Sequence, residues 1–517
     1  MHKSGDFRKV FSDTQFQFHP VLERVRFEKL RFPFPMWLDA QHCCGKLKSM
    51  KQAPSNTLGT APAQSRLERR QFLKAAAGTG LWLASAPAFL GAEPAGRKYR
   101  TALLGTGWWG MNILGEAMAS GQCEVVALCD VDRRLLEPAA AKVEKLTGAK
   151  PKLFKDYREL LATAKPEIVI VGTPDHWHPL MTIDAVRAGA HVYVEKPVGH
   201  TIREGRAMVK AARETGKVVQ VGTHRRVSPH NVSGREFLLS GKAGKIGFIR
   251  AFVHYGGGPE KPRRNVEPPK ELDWEMWCGP APKRPYNGDP NNPWSGGIHP
   301  RGFRNYLDYA NGTLGDWGVH WMDQILWIMG TITGEQWPRK VYSTGGRPIK
   351  GKPVLTETEQ TTDAPDHQVA TFEFENFTAT WEHRQFAGNN AEKGENVGCY
   401  FYGTNGTFHM GWKNGWVFYP ADGRAEPVRQ APQLHQPDDQ NIKELWADFL
   451  DAIKTGRRPV SDIEEIHRST NMSLLGMLSL KLGRSVVWDG QKEECVGDPE
   501  ANKLLRRDYR PGWTYPA

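Results

Sequence analysis

Cysteine is scarce and unpatterned: seven residues, at 43, 44, 123, 129, 278, 399 and 495, form no CxxC pair and no zinc-type spacing. That excludes a zinc ribbon and argues against a disulfide framework. A single bridge stays open, and the ordinary role of such residues is that of small buried hydrophobes. Dense lysine or arginine runs are missing from the main body. Of the 69 Lys and Arg, 15 fall in residues 1–97 with only 7 of the 57 Asp and Glu. That segment therefore holds +8 of the formal +12, leaving +4 for the remaining 420 residues. Nucleic acid is thereby disfavoured as a partner. Internal repeats are absent, and after the leader no apolar run is long enough to cross a bilayer as a helix. What is present is ordinary globular composition, 39% hydrophobic and 24% charged over 517 residues, enough for more than one core.

The basic excess sits in a leader. Arg69 and Arg70 of "RRQFLK" precede an Ala/Gly-rich apolar run, Ala75 to Ala86, and then the small-residue sites Ala84-Ser85-Ala86 and Ala86-Pro87-Ala88. Charged region, apolar region and cleavage site in that order spell a twin-arginine export signal, hence a periplasmic, exported protein that meets the Tat machinery. An amphipathic helix or an uncleaved anchor are the alternatives. Residues 1–49 fit none of this and read as an over-extended start or a disordered extension, with Met50 a natural start and 50–97 the signal and linker.

Beyond the leader, "KYRTALLGTGWWGMNILGEAMAS" is a short apolar strand, a turn and a helix-compatible stretch. The turn Gly105, Thr106, Gly107, Trp108, Trp109, Gly110 is G-x-G-x-x-G in the strand–turn–helix setting of a dinucleotide fingerprint. Its glycines permit the tight turn, the approach of a pyrophosphate and close helix–strand packing, while the helix N-terminus favours phosphate. The next strand, "CEVVALCD", ends at Asp130, placed to accept from the adenosine ribose hydroxyls and to favour NAD over NADP. Arg133 and Arg134 are close enough to keep NADP open. Strands "EIVIVGTP", "HVYVEKP" and "VVQVGTH" then alternate with helices, as in a doubly wound parallel sheet. Thr173, Pro174, Glu195, Lys196 and His224 all fall at carboxyl ends of strands, where such sheets bind ligands.

Two sets of residues carry chemistry. Lys196 lies between Glu195 and Pro197, and proline holds the preceding residue extended. It could donate to a substrate oxygen, although alone it reads equally as a surface lysine. In "NGTLGDWGVHWMDQILWIMG", helical periodicity follows Asp316, with His320 four residues on and Asp323 three beyond that. A neutral imidazole with a carboxylate partner makes a general base. The alternative is a helix-capping Asp and a core histidine. No third ligand at a defined spacing supports a metal.

The "GTGWWG", "TPDHWH", "EKP" and "GDWGVHWMD" motifs, in this order, resemble those of the Gfo/Idh/MocA oxidoreductases, over roughly residues 98–490. The resemblance implies a Rossmann domain (98–223), then an α+β domain with an open, mostly antiparallel sheet (224–440) that supports homo-oligomers. Amphipathic bracing helices (441–490) and a C-terminal tail (491–517) follow. It implies Lys196 as oxygen stabiliser, with Asp316 and His320 as partnered acid and base. It also implies Thr173, Pro174 and His178 near the nicotinamide ribose, though His178 could simply cap the following helix. His224 and Arg225 join Asp316 and His320 as the expected substrate set. The expected activity is NAD(P)-dependent oxidation of a sugar, sugar derivative or polyol, with a redox-neutral glycosidase or lyase as the alternative. An exported enzyme has no pool of free dinucleotide to draw on, so a tightly bound NAD is expected. Pro-, Gly- and Trp-rich residues 273–303 read as a long functional loop. The 18 tryptophans suit sugar faces, core packing or interfaces.

Overall fold

The computed structural model describes residues 96–434 and 440–516. The twin-arginine motif, its cleavage sites, residues 1–49, Cys43 and Cys44 lie outside the described residues. The five described cysteines are buried and free.

Six short strands, β1 (Tyr99–Leu104), β2 (Cys123–Cys129), β3 (Lys152–Phe154), β4 (Ile168–Val171), β5 (His191–Val194) and β6 (Val219–Val221), form a parallel sheet ordered β3-β2-β1-β4-β5-β6. The central strands read as continuous apolar runs because helices cover both faces. Every residue of Ile168–Val171, for example, is buried. The sheet order reverses beside β1, so a crevice opens at the carboxyl ends of β1 and β4.

The second sheet has ten strands. These are β7 (Ile246–His254), β9 (Lys340–Gly346), β11 (His367–Glu373), β12 (Thr378–Arg384), β13 (Val397–Gly403), β14 (Gly406–Gly411), β15 (Trp416–Pro420), β16 (Val428–Gln430), β17 (Val486–Asp489) and β18 (Glu494–Cys495). Two-residue strands β8 (Arg263–Arg264) and β10 (Glu359–Gln360) pair separately. The large sheet is antiparallel except where β7 runs parallel to β12. Alternation of side chains gives it two unlike faces. Ile249, Ala251, Phe372 and Trp381 turn inward into one core with helices Val319–Thr333 and Ile463–Leu482. Phe248, Tyr342 and Val369 stand exposed on the other face. The helix Ile442–Thr455 packs Leu445, Trp446 and Phe449 on the Rossmann core. Helix Ile463–Leu482 reaches both domains, with Ile463 in the Rossmann core and Leu475 in the second.

A buried ion pair fixes the junction between the sheets. Leaving β6, the chain makes a short helical turn, His224–Arg226, and Arg226 reaches Asp323 in helix Val319–Thr333. Its Nε and Nη2 donate to Asp323 Oδ1 at 3.1 and 2.8 Å, with both side chains almost wholly buried. Ser469 of the long helix donates to the same oxygen at 3.1 Å, and Arg226 also pairs with Glu465. Burying two charges is tolerable only with this full set of partners.

Asp323→Ala leaves the Arg226 charge without its main partner, so a loss of about 3–5 kcal/mol is expected in denaturant unfolding. A loss below about 1 kcal/mol, the value of an exposed pair, would refute this role.

Candidate active site

The site is built on the ends of β1, β2, β4, β5 and β6. A cavity of about 490 Å³ runs along them and is closed from the other side by residues of the second domain. Its phosphate-facing part is the glycine turn. Gly105 takes φ +90°, and a Cβ there would lie 2.8 Å from the Gly172 carbonyl oxygen. A Cβ on Gly110 would lie 2.1 Å from the Gly105 carbonyl oxygen, so helix and strand could not pack as closely. Gly107 differs: its φ is −64° and a Cβ would meet nothing within 4 Å. The protein itself does not demand glycine there. The requirement fits a ligand lying against the turn at the uncapped N-terminus of helix Trp108–Ala119.

At the end of β2, Asp130 lines the cavity and accepts from Thr106 N and Oγ1 at 2.7 and 2.9 Å and from Asp132 N at 3.0 Å. These bonds lock its carboxylate beside the turn. Burial nevertheless pushes its pKa up, against the lowering effect of those donors. Thr173 and Pro174, after β4, line the wall, and Trp108 and Trp109 flank the turn with ring centroids 5.1 Å apart. The donor set, an open glycine at a helix start and a fixed carboxylate one strand away, fits a dinucleotide.

A second polar cluster lies at the β5 and β6 ends. Lys196 Nζ donates to Asp316 Oδ1 at 2.5 Å and to the Asp316 carbonyl oxygen at 2.9 Å. Asp316 comes from the π-helical turn Leu314–Gly318, which runs directly into helix Val319–Thr333. Arg304 Nε donates to the same Asp316 oxygen at 3.3 Å. Burial alone would raise the Asp316 pKa, but Lys196 and Arg304 outweigh it and hold the carboxyl well below the usual carboxylate range. Asp316 and His320 share the cavity, with the Asp316 carboxylate hydrogen-bonded to Lys196 and Arg304 and acting on the imidazole through its charge. His320 is buried with Nδ1 unpartnered, its ring 5.3 Å from His224 and 5.1 Å from Trp412. Burial and then the Lys196 charge drive its pKa far below 6.5, with Asp316 opposing in part. The ring is therefore neutral.

Not every expected residue faces the cavity. His178 is buried behind it, with Nδ1 2.8 Å from the Pro197 carbonyl oxygen and Nε2 2.9 Å from that of Thr173. It braces the turns after β4 and β5, and burial brings its pKa down to about 4. Arg225 lies over Trp412, its guanidinium carbon 3.8 Å from the ring centre, and is not part of the cavity wall, which Trp412 lines. Thr106 and Gly110 likewise support the turn from behind. Conversely, Asp175, Arg304, Trp317 and Trp412 line the site and were not singled out from sequence. Asp175 stands in "TPDHWH" at a strand end, a position that could have marked it. Trp317, next to Asp316 on the π-helical turn, stands inside "GDWGVHWMD" and could have been marked in the same way, whereas no periodicity links Arg304, in the short turn Gly302–Asn305, or Trp412, just past the end of β14, to the site. Burial and then the Asp316 charge push Asp175 up to about 7, and burial does the same to Glu195.

Comparison with known proteins agrees with this architecture. Residues 99–223 match a family model described as an oxidoreductase family, NAD-binding Rossmann fold. Residues 217–344 and 361–515 match an oxidoreductase family, C-terminal alpha/beta domain, and residues 286–409 a GFO/IDH/MocA C-terminal domain. Residues 99–223 thus form an NAD-binding domain. A glycosyl hydrolase family 109 protein 1 of Akkermansia muciniphila is 34% identical over 124 residues, 23% of this chain and 26% of that protein. A D-glucoside 3-dehydrogenase of Escherichia coli is 33% identical over 152 residues, 28% of this chain and 41% of that protein. The chain thus spans less than half the length of these relatives. A levoglucosan dehydrogenase solved with NADH and levoglucosan superposes with a TM-score of 0.56 at 18% identity, covering 76% of this chain and 99% of that one. At that identity the likeness is one of fold.

Gly107→Ala separates the ligand's demand from the protein's. Unfolding free energy should stay within about 0.5 kcal/mol, while NADH binding, followed by fluorescence titration, weakens about tenfold or more. An unchanged NADH affinity would mean that the dinucleotide does not lie on this turn.

Proposed function

The chain belongs to the Gfo/Idh/MocA oxidoreductase family, and on that premise we propose that it oxidises a CH–OH group of a sugar, sugar derivative or polyol. The observation that carries the proposal is the convergence of Lys196, Asp316 and His320, drawn from two domains, on the cavity that begins at the glycine turn. NAD, when bound there, supplies the hydride acceptor.

The protein's own groups handle the proton and the oxygen. An ammonium has three donors; Asp316 takes two of those of Lys196, which leaves one for the substrate oxygen. Held in a largely buried site, that donor stabilises the oxygen as it becomes a carbonyl. His320, neutral and with its imidazole at the cavity wall, accepts the hydroxyl proton. The Asp316 carboxylate then favours the imidazolium that results. Trp317 and Trp412, with ring centroids 4.9 Å apart and planes inclined at 65°, offer flat walls for a sugar ring.

A redox-neutral glycosidase or lyase is the second reading. It is favoured by the likeness to a glycosyl hydrolase family 109 protein and by a further carboxyl beside Asp316 in the cavity, Asp175. The two readings separate on NADH absorbance: a lasting rise with one sugar supports dehydrogenation, and product without a lasting rise supports the cycle. Export by the twin-arginine route, resting on Arg69 and Arg70, and self-association through the exposed sheet face of Phe248, Tyr342 and Val369 belong to the same proposal.

Lys196→Met and His320→Ala should each lower kcat about 10²–10⁴-fold with NADH affinity retained. Activity unchanged in either would remove that residue from the mechanism. The site also gains negative charge as Asp175 and Glu195 ionise near pH 7. Negative charge favours proton uptake by His320, so kcat/KM should rise from about pH 6 to about pH 8, less steeply in Asp175→Asn. An identical profile in that variant would rule Asp175 out as the titrating group.

A further inference from the structure

We infer that Asp132 keeps the dinucleotide site selective for NAD and slow to release it, by holding Arg134 away from the ribose edge and clasping the loop that crosses the cavity. The inference rests on NAD binding at the glycine turn.

Asp132 is two residues beyond Asp130, and its backbone N–H donates to the Asp130 carboxylate at 3.0 Å. Its own carboxylate is wholly buried and is a hub. Arg134 Nε donates to Oδ1 at 2.9 Å and Arg134 Nη2 to Oδ2 at 2.6 Å, a bidentate fork. The remaining Arg134 terminal nitrogen, Nη1, donates to the Pro290 carbonyl oxygen at 2.8 Å. Neither Arg134 nor Arg133, which pairs with Glu137, lines the cavity. An arginine in this segment is what a dinucleotide domain uses to accept a 2′-phosphate. Here the candidate is tied elsewhere, while Asp130 presents negative charge to the same edge.

The hub's second side-chain partner lies in the second domain. His299 Nε2 donates to Asp132 Oδ2 at 2.9 Å, with both side chains buried. Burial alone would raise the Asp132 pKa, but the hydrogen bonds from His299 and Arg134 hold it at about 2. Two residues beyond His299, Arg301 stacks over Trp108 at 5.1 Å, immediately after Gly107. Pro290, His299 and Arg301 therefore pin one loop from the Asp130 edge to the phosphate turn, across the cavity that His299 and Arg301 help to line. A ligand under that loop leaves only when these contacts break.

The test uses the full chain as isolated. Its bound nucleotide is identified by mass spectrometry, exchange is driven with NADH or NADPH, and affinity and release are read from nicotinamide fluorescence. Asp132→Asn keeps the side-chain oxygen that accepts from Arg134 N and caps helix Arg133–Thr147, and removes the charge. It should move the NADPH-to-NADH affinity ratio about tenfold or more towards NADPH and speed release. His299→Phe keeps the ring packed on Trp277 and loses the donor, so release should quicken with the ratio unmoved. Adding Arg134→Gln to Asp132→Asn should cancel the NADPH gain. If Asp132→Asn and His299→Phe both leave ratio and release as in the wild type, the inference is overturned. A wild type that binds neither nucleotide overturns the NAD reading beneath it instead.

Discussion

Arg226 and Asp323 are the pair on which the remaining geometry depends. One belongs to the segment leaving the Rossmann sheet, the other to the first long helix of the second domain, and neither charge can be buried without its partner. Once they meet, the helix has a fixed register against β6. His320 lies one turn before Asp323 and comes to the cavity wall beside His224. The π-helical turn ahead of it carries Asp316 over the end of β5, where Lys196 is waiting. A structural ion pair thus sets the position of a chemical one.

The chemical pair has its own logic. Burial and then the Lys196 charge keep His320 neutral, while Lys196 and Arg304 outweigh burial at Asp316 and keep it ionised. Asp175 and Glu195 sit in the same field and remain poised near neutrality because burial opposes their ionisation. Two carboxyls poised in this way, beside one that is always charged, let a single cavity hold acid and base forms together.

Much of this was legible in the sequence where the signal is local. Gly105, Gly107 and Gly110 carry their meaning within six residues, and the strand ends follow from apolar runs broken by turns. The second sheet was legible as alternating strands, although the parallel pairing of β7 with β12 was not, since pairing direction leaves no mark in either strand. The approach of Lys196 to Asp316 spans 120 residues and shows in no spacing. Asp323 looked like part of a His320 cluster because helical spacing places them together. Its true partner, Arg226, sits 97 residues earlier. The resemblance implies His178 near the nicotinamide ribose and Arg225 among the substrate residues, but both lie behind the wall, where burial and ring packing occupy them. Residues 273–303 were legible as a loop, but the short helix Trp274–Cys278 within it and its anchorage on Asp132 depend on contacts with the other domain.

The central claim is that hydride leaves a carbohydrate carbon at the Lys196–Asp316–His320 end of the cavity and reaches NAD. Its most direct test follows the hydride itself. Glycosides deuterated at individual CH–OH carbons are incubated with the NAD-loaded protein, and the released nucleotide is examined by mass spectrometry. Deuterium from one ring position should appear in the cofactor when turnover is quenched before the cycle closes, since a redox-neutral cycle hands the label back to the sugar. Turnover of substrate with the cofactor unlabelled from every position in the quenched samples, and with no slowing by deuterium at any of them, would contradict the account.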